Sequence, residues 1–130
     1  MRCLYIDGVI MPCAAGELSV LYEDVNFVDV MSDGSVDVRS GNGGGKLTVR
    51  FLLPYEKSKC EIYSEEYRAD HVADTLRRRI RGGSMEVVET VDEEGSGVEL
   101  SRHCVSAVVT EAKFSYGDDG ITVTVKGRLL

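Results

Sequence analysis

The chain has 130 residues, of which 43% are apolar and 28% charged, a mixture that fits one globular domain and excludes disorder as the overall state. Lysine and arginine total 15 against 22 aspartate and glutamate residues, and the resulting formal net charge of −7 disfavours binding to nucleic acid or anionic lipid. No apolar run approaches the roughly 18 residues that a membrane-spanning helix needs.

The four cysteines stand far apart in the chain, at Cys3, Cys13, Cys60 and Cys104, and none belongs to a Cys-x-x-Cys pair. Because zinc sites usually bring closely spaced ligands, this spacing indicates reduced thiols. The N-terminal residues lack the apolar segment of a signal peptide. We therefore expect a cytoplasmic protein without metal or cofactor, in which Cys3 and Cys104 act as small hydrophobes.

The first elements in chain order are predicted to be short strands. An apolar run over Cys3–Asp7 ends at an Asp-Gly turn pair, and apolar and polar residues mostly alternate from Leu18 to Tyr22. Two further segments, 25–30 and 35–39, flank an Asp-Gly pair at positions 33–34. That pair supplies the positive φ that a tight turn requires, so these two segments are predicted to form a hairpin.

A glycine-rich segment follows the hairpin. Four of the six residues in Ser40–Gly45 are glycine, which predicts a flexible loop. This loop does not match a phosphate-binding P-loop, because Gly45-Lys46 is followed by Leu47 instead of serine or threonine and leads into a strand instead of a helix. Residues 46–53 alternate apolar with polar and predict that strand, which ends at Pro54.

One amphipathic helix is predicted over Ser64–Arg81. Ser64 is the expected N-cap, and two glutamates lie in the first turn, where the helix dipole favours acids. An apolar stripe recurs at three- and four-residue intervals, at Ala69, Val72, Ala73, Leu76 and Ile80. Gly82-Gly83 provides the C-terminal stop.

The remaining elements are again strands. Residues 85–91 are rich in β-branched residues, and an acidic loop covers Asp92–Gly97. Extended structure is predicted for Val98–Leu100 and for Cys104–Tyr116. A turn at 117–120 then leads to a final alternating strand.

The predicted order is several strands, one helix and then several more strands, and no βαβ alternation is present. This order predicts a mostly β fold of the α+β class, with one domain over residues 1–130. Successive hairpin turns favour antiparallel pairing. We expect an antiparallel β-sandwich or a partly closed barrel with a single packed α-helix.

The most distinctive charged feature of the sequence is a cluster of four arginines at the C-terminal end of the predicted helix, Arg77, Arg78, Arg79 and Arg81. Since arginine pairs well with carboxylates, an acidic face of a neighbouring subunit would allow head-to-tail self-association. Together with Gly43, Gly44 and Gly45 of the glycine-rich loop, these arginines are our candidate assembly interface. We identify no candidate catalytic, cofactor-binding or metal-ligating residue.

Other residues suggest two alternative functions. The His103-Cys104 pair suggests a thiol nucleophile with a base, but adjacent strand residues point to opposite faces, which disfavours a hydrolase. A small ligand-binding module is the alternative to an assembly role, with a cavity lined by residues such as Phe51, Tyr22 and Phe114.

The order of elements resembles the tube-like domain of phage and phage-like contractile tails. It is similar, more narrowly, to the N-terminal domain of LysM-bearing baseplate proteins that lie between the central hub and the tail tube. The matching features are the opening strand 4–8, Pro12, the hairpin from Val25 to Lys46, the apolar strand that ends at Pro54, the stretch from Tyr55 to Arg81 and the aromatic turn 114–117.

This resemblance implies a non-enzymatic structural subunit with a tail-tube-like fold. It implies self-association into a ring, a hexamer if the protein is tube-like, and docking to other tail proteins. The protein would be cytoplasmic during assembly and then part of a virion tail or tail-like particle. The resemblance leaves open whether the component is the tube, the tube initiator or another baseplate subunit.

Overall fold

A computed structural model describes residues 1–23, 26–30, 32–33, 36–40, 45–93 and 98–130. The helix α1 spans Ala69–Ile80, and a single 3-10 turn spans Lys57–Lys59. The strands are β1 (Arg2–Ile6), β2 (Val9–Ile10), β3 (Ser19–Glu23), β4 (Asn26–Val30), β5 (Val36–Ser40), β6 (Lys46–Pro54), β7 (Ser84–Asp92), β8 (Glu99–Tyr116) and β9 (Gly120–Leu129).

Seven of these strands form one antiparallel sheet in the order β2-β1-β7-β8-β9-β6-β3, while β4 and β5 form a separate two-stranded sheet. The predicted α+β class with antiparallel strands and a single helix is therefore confirmed. So is the hairpin around positions 33–34, because β4 pairs with β5 from Asn26↔Ser40 to Val30↔Val36.

The large sheet is curled but is not closed into a barrel. Arg2 of β1 donates a hydrogen bond from Nη1 to the carbonyl oxygen of Leu18, 3.0 Å away and next to β3. The Tyr22 ring of β3 lies 4.5 Å from the His103 ring of β8. Among the described residues, however, no backbone ladder joins β3 to β1 or β2. The expected antiparallel sheet with one packed helix is thus present, and its described strands do not close into a barrel.

The core lies on the concave face of this sheet. Every second residue of β6, namely Leu47, Val49, Phe51 and Leu53, is fully buried. On the neighbouring strand β9, Val123 lies opposite Phe51 and Val125 lies opposite Val49, and both are also fully buried. The alternation predicted for these two strands is confirmed and places one face of each in the core.

Helix α1 packs its apolar stripe on this core through Ala69, Ala73, Leu76 and Ile80. The helix begins five residues later than the predicted Ser64. Arg68 is in extended conformation at the N-cap position, and Ser64 instead accepts a turn hydrogen bond from the Tyr67 backbone N–H at 3.1 Å. The Tyr67 hydroxyl donates to the Pro54 carbonyl at 2.6 Å, and this buried contact fixes residues 64–67 as a turn.

The two extended segments predicted on either side of residues 101–103 form the single strand β8. Its first half pairs with β7 and its second half with β9, and the register shifts between Val109 and Glu111. The polar residues at 101–103 are exposed strand residues, so they are not a break in the strand. The predicted loops at 40–45 and 92–97 lie mostly outside the described residues.

Within the described ranges, no helix combines the length and the apolar character needed to cross a membrane.

Candidate functional site

The predicted arginine cluster lies at the C-terminal end of α1, but its four members have different surroundings. Arg77, Arg78 and Arg81 border one shallow depression together with Asp74, and Arg77 also contacts two aromatic residues near the end of β8. Arg79 lines a groove on another side of the helix. Since successive helical residues are turned by about 100°, one face cannot present all four guanidinium groups. Arg77, Arg78 and Arg81 therefore lie on one side of the helix end, and Arg79 lies on another.

Arg77 is used inside the subunit. Its guanidinium donates to the Tyr116 hydroxyl at 2.6 Å and to Asp74 Oδ1 at 3.0 Å. It also lies over the Phe114 ring, 4.4 Å from the centroid, in a cation–π contact. Arg77 thus fastens the helix to β8.

We expect Arg77→Ala to lower the free energy of unfolding by about 1–2 kcal/mol, because it removes the cation–π contacts with Phe114 and Tyr116, the hydrogen bond to the Tyr116 hydroxyl and the exposed pair with Asp74. Arg78→Ala is the matched control: the side chain is exposed and makes no ion pair in the described part of the chain. Urea unfolding of both variants measures the difference. Equal losses in the two variants would contradict the role assigned to Arg77.

A groove of about 550 Å³ runs along the other side of α1. One wall is the helix from Arg68 to Arg79, and the opposite wall consists of residues 9–12 and 62–64. The apolar lining includes Met11, Pro12, Ile62, Tyr67, Val72 and Leu76. Protein interiors hold few voids larger than a water molecule, so an apolar depression of this size is a candidate binding surface.

Charged groups lie at the rim of this groove. Arg68, His71 and Arg79 line it together with one acid, Glu66. Arg68 is paired with Asp70 at 3.0 Å, whereas Arg79 makes no ion pair among the described residues. With Glu66 in the lining and Asp70 beside Arg68, two arginines stand against two acids, so the formal charges at the rim balance. Sequence reasoning missed the groove because its walls are far apart along the chain.

Of the three candidate glycines, Gly43 and Gly44 lie outside the described residues, and Gly45 lies at the start of β6. The Gly45 carbonyl accepts a hydrogen bond from the Leu129 backbone N–H at 2.8 Å. A Cβ at this position would lie 2.6 Å from Leu129 Cδ1. Gly45 therefore allows a close approach between β6 and the end of β9.

A polar cluster that the sequence did not indicate joins the sheet near its open side. Arg2 of β1 pairs with Glu89 of β7, with 2.9 Å between Nε and Oε1. Nearby, the Tyr22 hydroxyl is buried without a hydrogen-bond partner in the described structure. Burial, reinforced by the Glu89 carboxylate, raises the pKa of Tyr22 above its ordinary value. Since Arg2 also donates to the Leu18 carbonyl, this cluster links β1 and β7 to the segment that leads into β3.

Three of the four cysteines are buried and Cys104 is exposed, so the expectation that Cys104 acts as a small core hydrophobe is wrong. All four are free thiols. Burial raises the pKa of Cys13 to about 12, with further contributions from Cys60 and Glu61. His103 and Cys104 are consecutive in β8, and the His103 ring contacts Tyr22. Among the described residues, no group of three or more histidines, cysteines or acids is placed to hold a metal ion.

We expect one thiol per chain to react rapidly with Ellman's reagent in the native protein and four after denaturation. The fast thiol is Cys104, because Cys3, Cys13 and Cys60 are buried and burial raises the pKa of each of them. Cys104→Ser should remove the fast phase. Rapid reaction of two or more thiols in native protein would contradict the described packing.

The three residues suggested for an interior ligand cavity all belong to the core or its margin. Phe51 is fully buried in the core, whereas Tyr22 and Phe114 are partly buried and pack against its margin. The large groove instead lies between α1 and residues 9–12 and 62–64.

In comparisons with known proteins, no protein-family model and no curated protein matches this chain.

Proposed function

We propose that the chain is a structural subunit that assembles with copies of itself into a ring, as the tube, tube initiator or another baseplate component of a phage or phage-like tail. The observation that carries the assembly role is the β4–β5 ribbon, defined as residues 26–30 and 36–40. Its two strands pair with each other in a sheet of their own.

A ribbon of this kind needs support. Two-stranded hairpins are at best marginally stable in water, and a third strand or a packed helix is what usually stabilises them. The described strands of the large sheet provide no third strand for the ribbon. A surface of a neighbouring subunit would supply that support, and the ribbon is then an assembly arm.

Open strand edges add a second kind of assembly surface. The large sheet ends at β3 on one side. Among the described strands, the first half of β8 pairs with β7 alone and its second half with β9 alone, so each half has one unpaired edge. Unpaired backbone groups at such edges are templates for pairing with another chain. Neighbouring subunits would use them to continue the sheet around a ring.

The tail assignment is supported by the resemblance in element order. The net charge of −7 also suits a lumen that must let DNA pass without binding it. Such a subunit would be cytoplasmic before assembly and would dock on other tail proteins in the finished particle.

Sedimentation velocity from micromolar to millimolar concentration tests the proposal. The natural chain should form an oligomer, and a variant with residues 26–40 replaced by a short glycine–serine linker should remain monomeric. Cooperative thermal unfolding of this variant shows that the large sheet is intact. A natural chain that stays monomeric over the whole range contradicts the proposal.

A further inference from the structure

One side of the last two turns of α1 is basic. Arg77, Arg78 and Arg81 border the shallow depression with one acid, Asp74, which pairs with Arg77 at 3.0 Å. Arg78 and Arg81 are exposed and make no ion pair in the described part of the chain. The negative end of the helix dipole, about half an elementary charge, offsets only part of this positive excess. This basic depression is therefore a local positive surface on a chain whose formal net charge is −7.

The turn between β8 and β9 has the opposite charge. Asp118 and Asp119 form its two-residue loop, which is closed by the Gly117 N–H donating to the Gly120 carbonyl oxygen at 2.9 Å. The Asp119 carbonyl oxygen also accepts a hydrogen bond from the Tyr55 N–H at 3.1 Å. Both aspartate side chains are exposed, and neither has an ion-pair partner among the described residues. The turn thus presents two carboxylates on a backbone that is held in place, which lowers the entropy cost of binding.

The other adjacent acids of the described chain are less available. They occur at positions 65–66 and 92–93. Glu65 pairs with Lys57 at 3.6 Å, and Asp92 is half-buried beside Cys3. The turn at 118–119 is therefore the described segment that offers two neighbouring carboxylates, both exposed and unpaired.

We propose that the basic depression of one copy receives the Asp118–Asp119 turn of a second copy of this chain. This inference rests on the proposed function and adds to it the two surfaces that meet. The spacings agree: Arg78 and Arg81 are about 4.5 Å apart along the helix axis, and consecutive Cα atoms of the turn are about 3.8 Å apart. Each carboxylate then meets one guanidinium, whose planar fork donates two parallel hydrogen bonds to it.

The contact is head-to-tail, because the depression and the turn are different surfaces of the same chain. Each copy gives its turn to one neighbour and its depression to another, and such a contact closes into a ring when its rotation allows closure. Local attraction of opposite charges also orients two copies whose net charges repel each other.

Charge reversal on each surface tests the docking. One variant carries Arg78→Glu with Arg81→Glu, and the other carries Asp118→Arg with Asp119→Arg. We expect each variant to self-associate about tenfold more weakly than the natural chain, measured by sedimentation velocity. The turn variant is less negative than the natural chain, so general repulsion between copies cannot account for its weaker association.

A chain with all four substitutions is the rescue. Its reversed depression meets a reversed turn, and its formal net charge equals that of the natural chain, so we expect association within about threefold of the natural level. The matched control is Arg79→Glu with Arg128→Glu, two exposed arginines outside the depression that change the net charge as the depression variant does. Equal weakening by the control and the depression variant would overturn the docking.

Disulfide formation between copies gives a second measurement. Cys104→Ser removes the exposed thiol, and in this background a chain with Arg78→Cys is mixed with a chain with Asp119→Cys and oxidised by copper phenanthroline. We expect disulfide-linked dimers of the two chains. Moving the first cysteine from position 78 to position 79 should abolish them, and equal linkage from both positions would overturn the docking.

The outcomes separate this inference from the proposed function. A natural chain that stays monomeric overturns both. An oligomer that neither reversal weakens, or that the chain with all four substitutions does not restore, overturns the docking and leaves the assembly role standing.

Discussion

Replacing Phe51 with alanine is expected to lower the free energy of unfolding by about 3–5 kcal/mol, the usual range for removing a large aromatic side chain from a core. Phe51 is fully buried at the middle of β6 and lies opposite the equally buried Val123 of β9. Removing its ring would leave a cavity where the sheet meets the helix. Urea denaturation followed by circular dichroism measures the loss.

Leu21→Ala is the matched control for this substitution. Leu21 lies on the edge strand β3 and is 51% exposed, so the expected loss is below about 1 kcal/mol. If Phe51→Ala also lowered the free energy of unfolding by less than about 1 kcal/mol, β6 would not form the centre of the core.

The second large effect is expected at Gly120, where a methyl group has no room. A Cβ at this position would lie 2.3 Å from the Leu53 carbonyl oxygen and 2.9 Å from Pro54 Cα. Both neighbours are backbone atoms of the paired strand β6, so relief requires separating β6 from β9. We expect Gly120→Ala to cost about 3 kcal/mol or more, at the upper end of the range for overpacking.

Gly117→Ala in the same turn is the control for Gly120→Ala. The nearest atom to a Cβ at Gly117 is the Gly120 carbonyl oxygen at 3.6 Å, an ordinary van der Waals distance. Thermal unfolding of both variants should show a large loss for Gly120→Ala and a change within about 1 kcal/mol for Gly117→Ala. Similar changes in the two melting temperatures would contradict the close β6–β9 approach.

Features set by local periodicity were predictable from the sequence. The alternation in β6 and β9 identified the buried faces, since successive side chains of a strand point to opposite sides. The apolar stripe of α1 also identified its buried residues. These patterns depend on neighbours within a few positions, which the sequence shows directly.

Features set by distant contacts were not predictable. Ser64 has the chemistry of an N-cap, but the Tyr67 hydroxyl bonds to Pro54, 13 positions away, and the helix starts later. Arg77 binds Tyr116, 39 positions away. No pattern in the sequence signals either pairing.

The surroundings of the four arginines depend on the fold. The arginines do lie at the helix end, yet helical rotation divides them, so that Arg77 faces β8 and Arg79 faces the groove. The groove itself needs three chain segments, 9–12, 62–64 and 68–79, which only the folded chain brings together. The β4–β5 ribbon, in contrast to the groove, could be predicted from adjacent residues, because a local Asp-Gly turn with flanking valines indicates a hairpin.

Native mass spectrometry at rising protein concentration tests the central claim, that this subunit is built to associate with its own copies. Because a closed ring leaves no subunit with an unused assembly surface, one closed oligomer should dominate, at a single integer multiple of the 14.2 kDa chain mass. A spectrum that contains the single chain alone at every concentration would contradict the account.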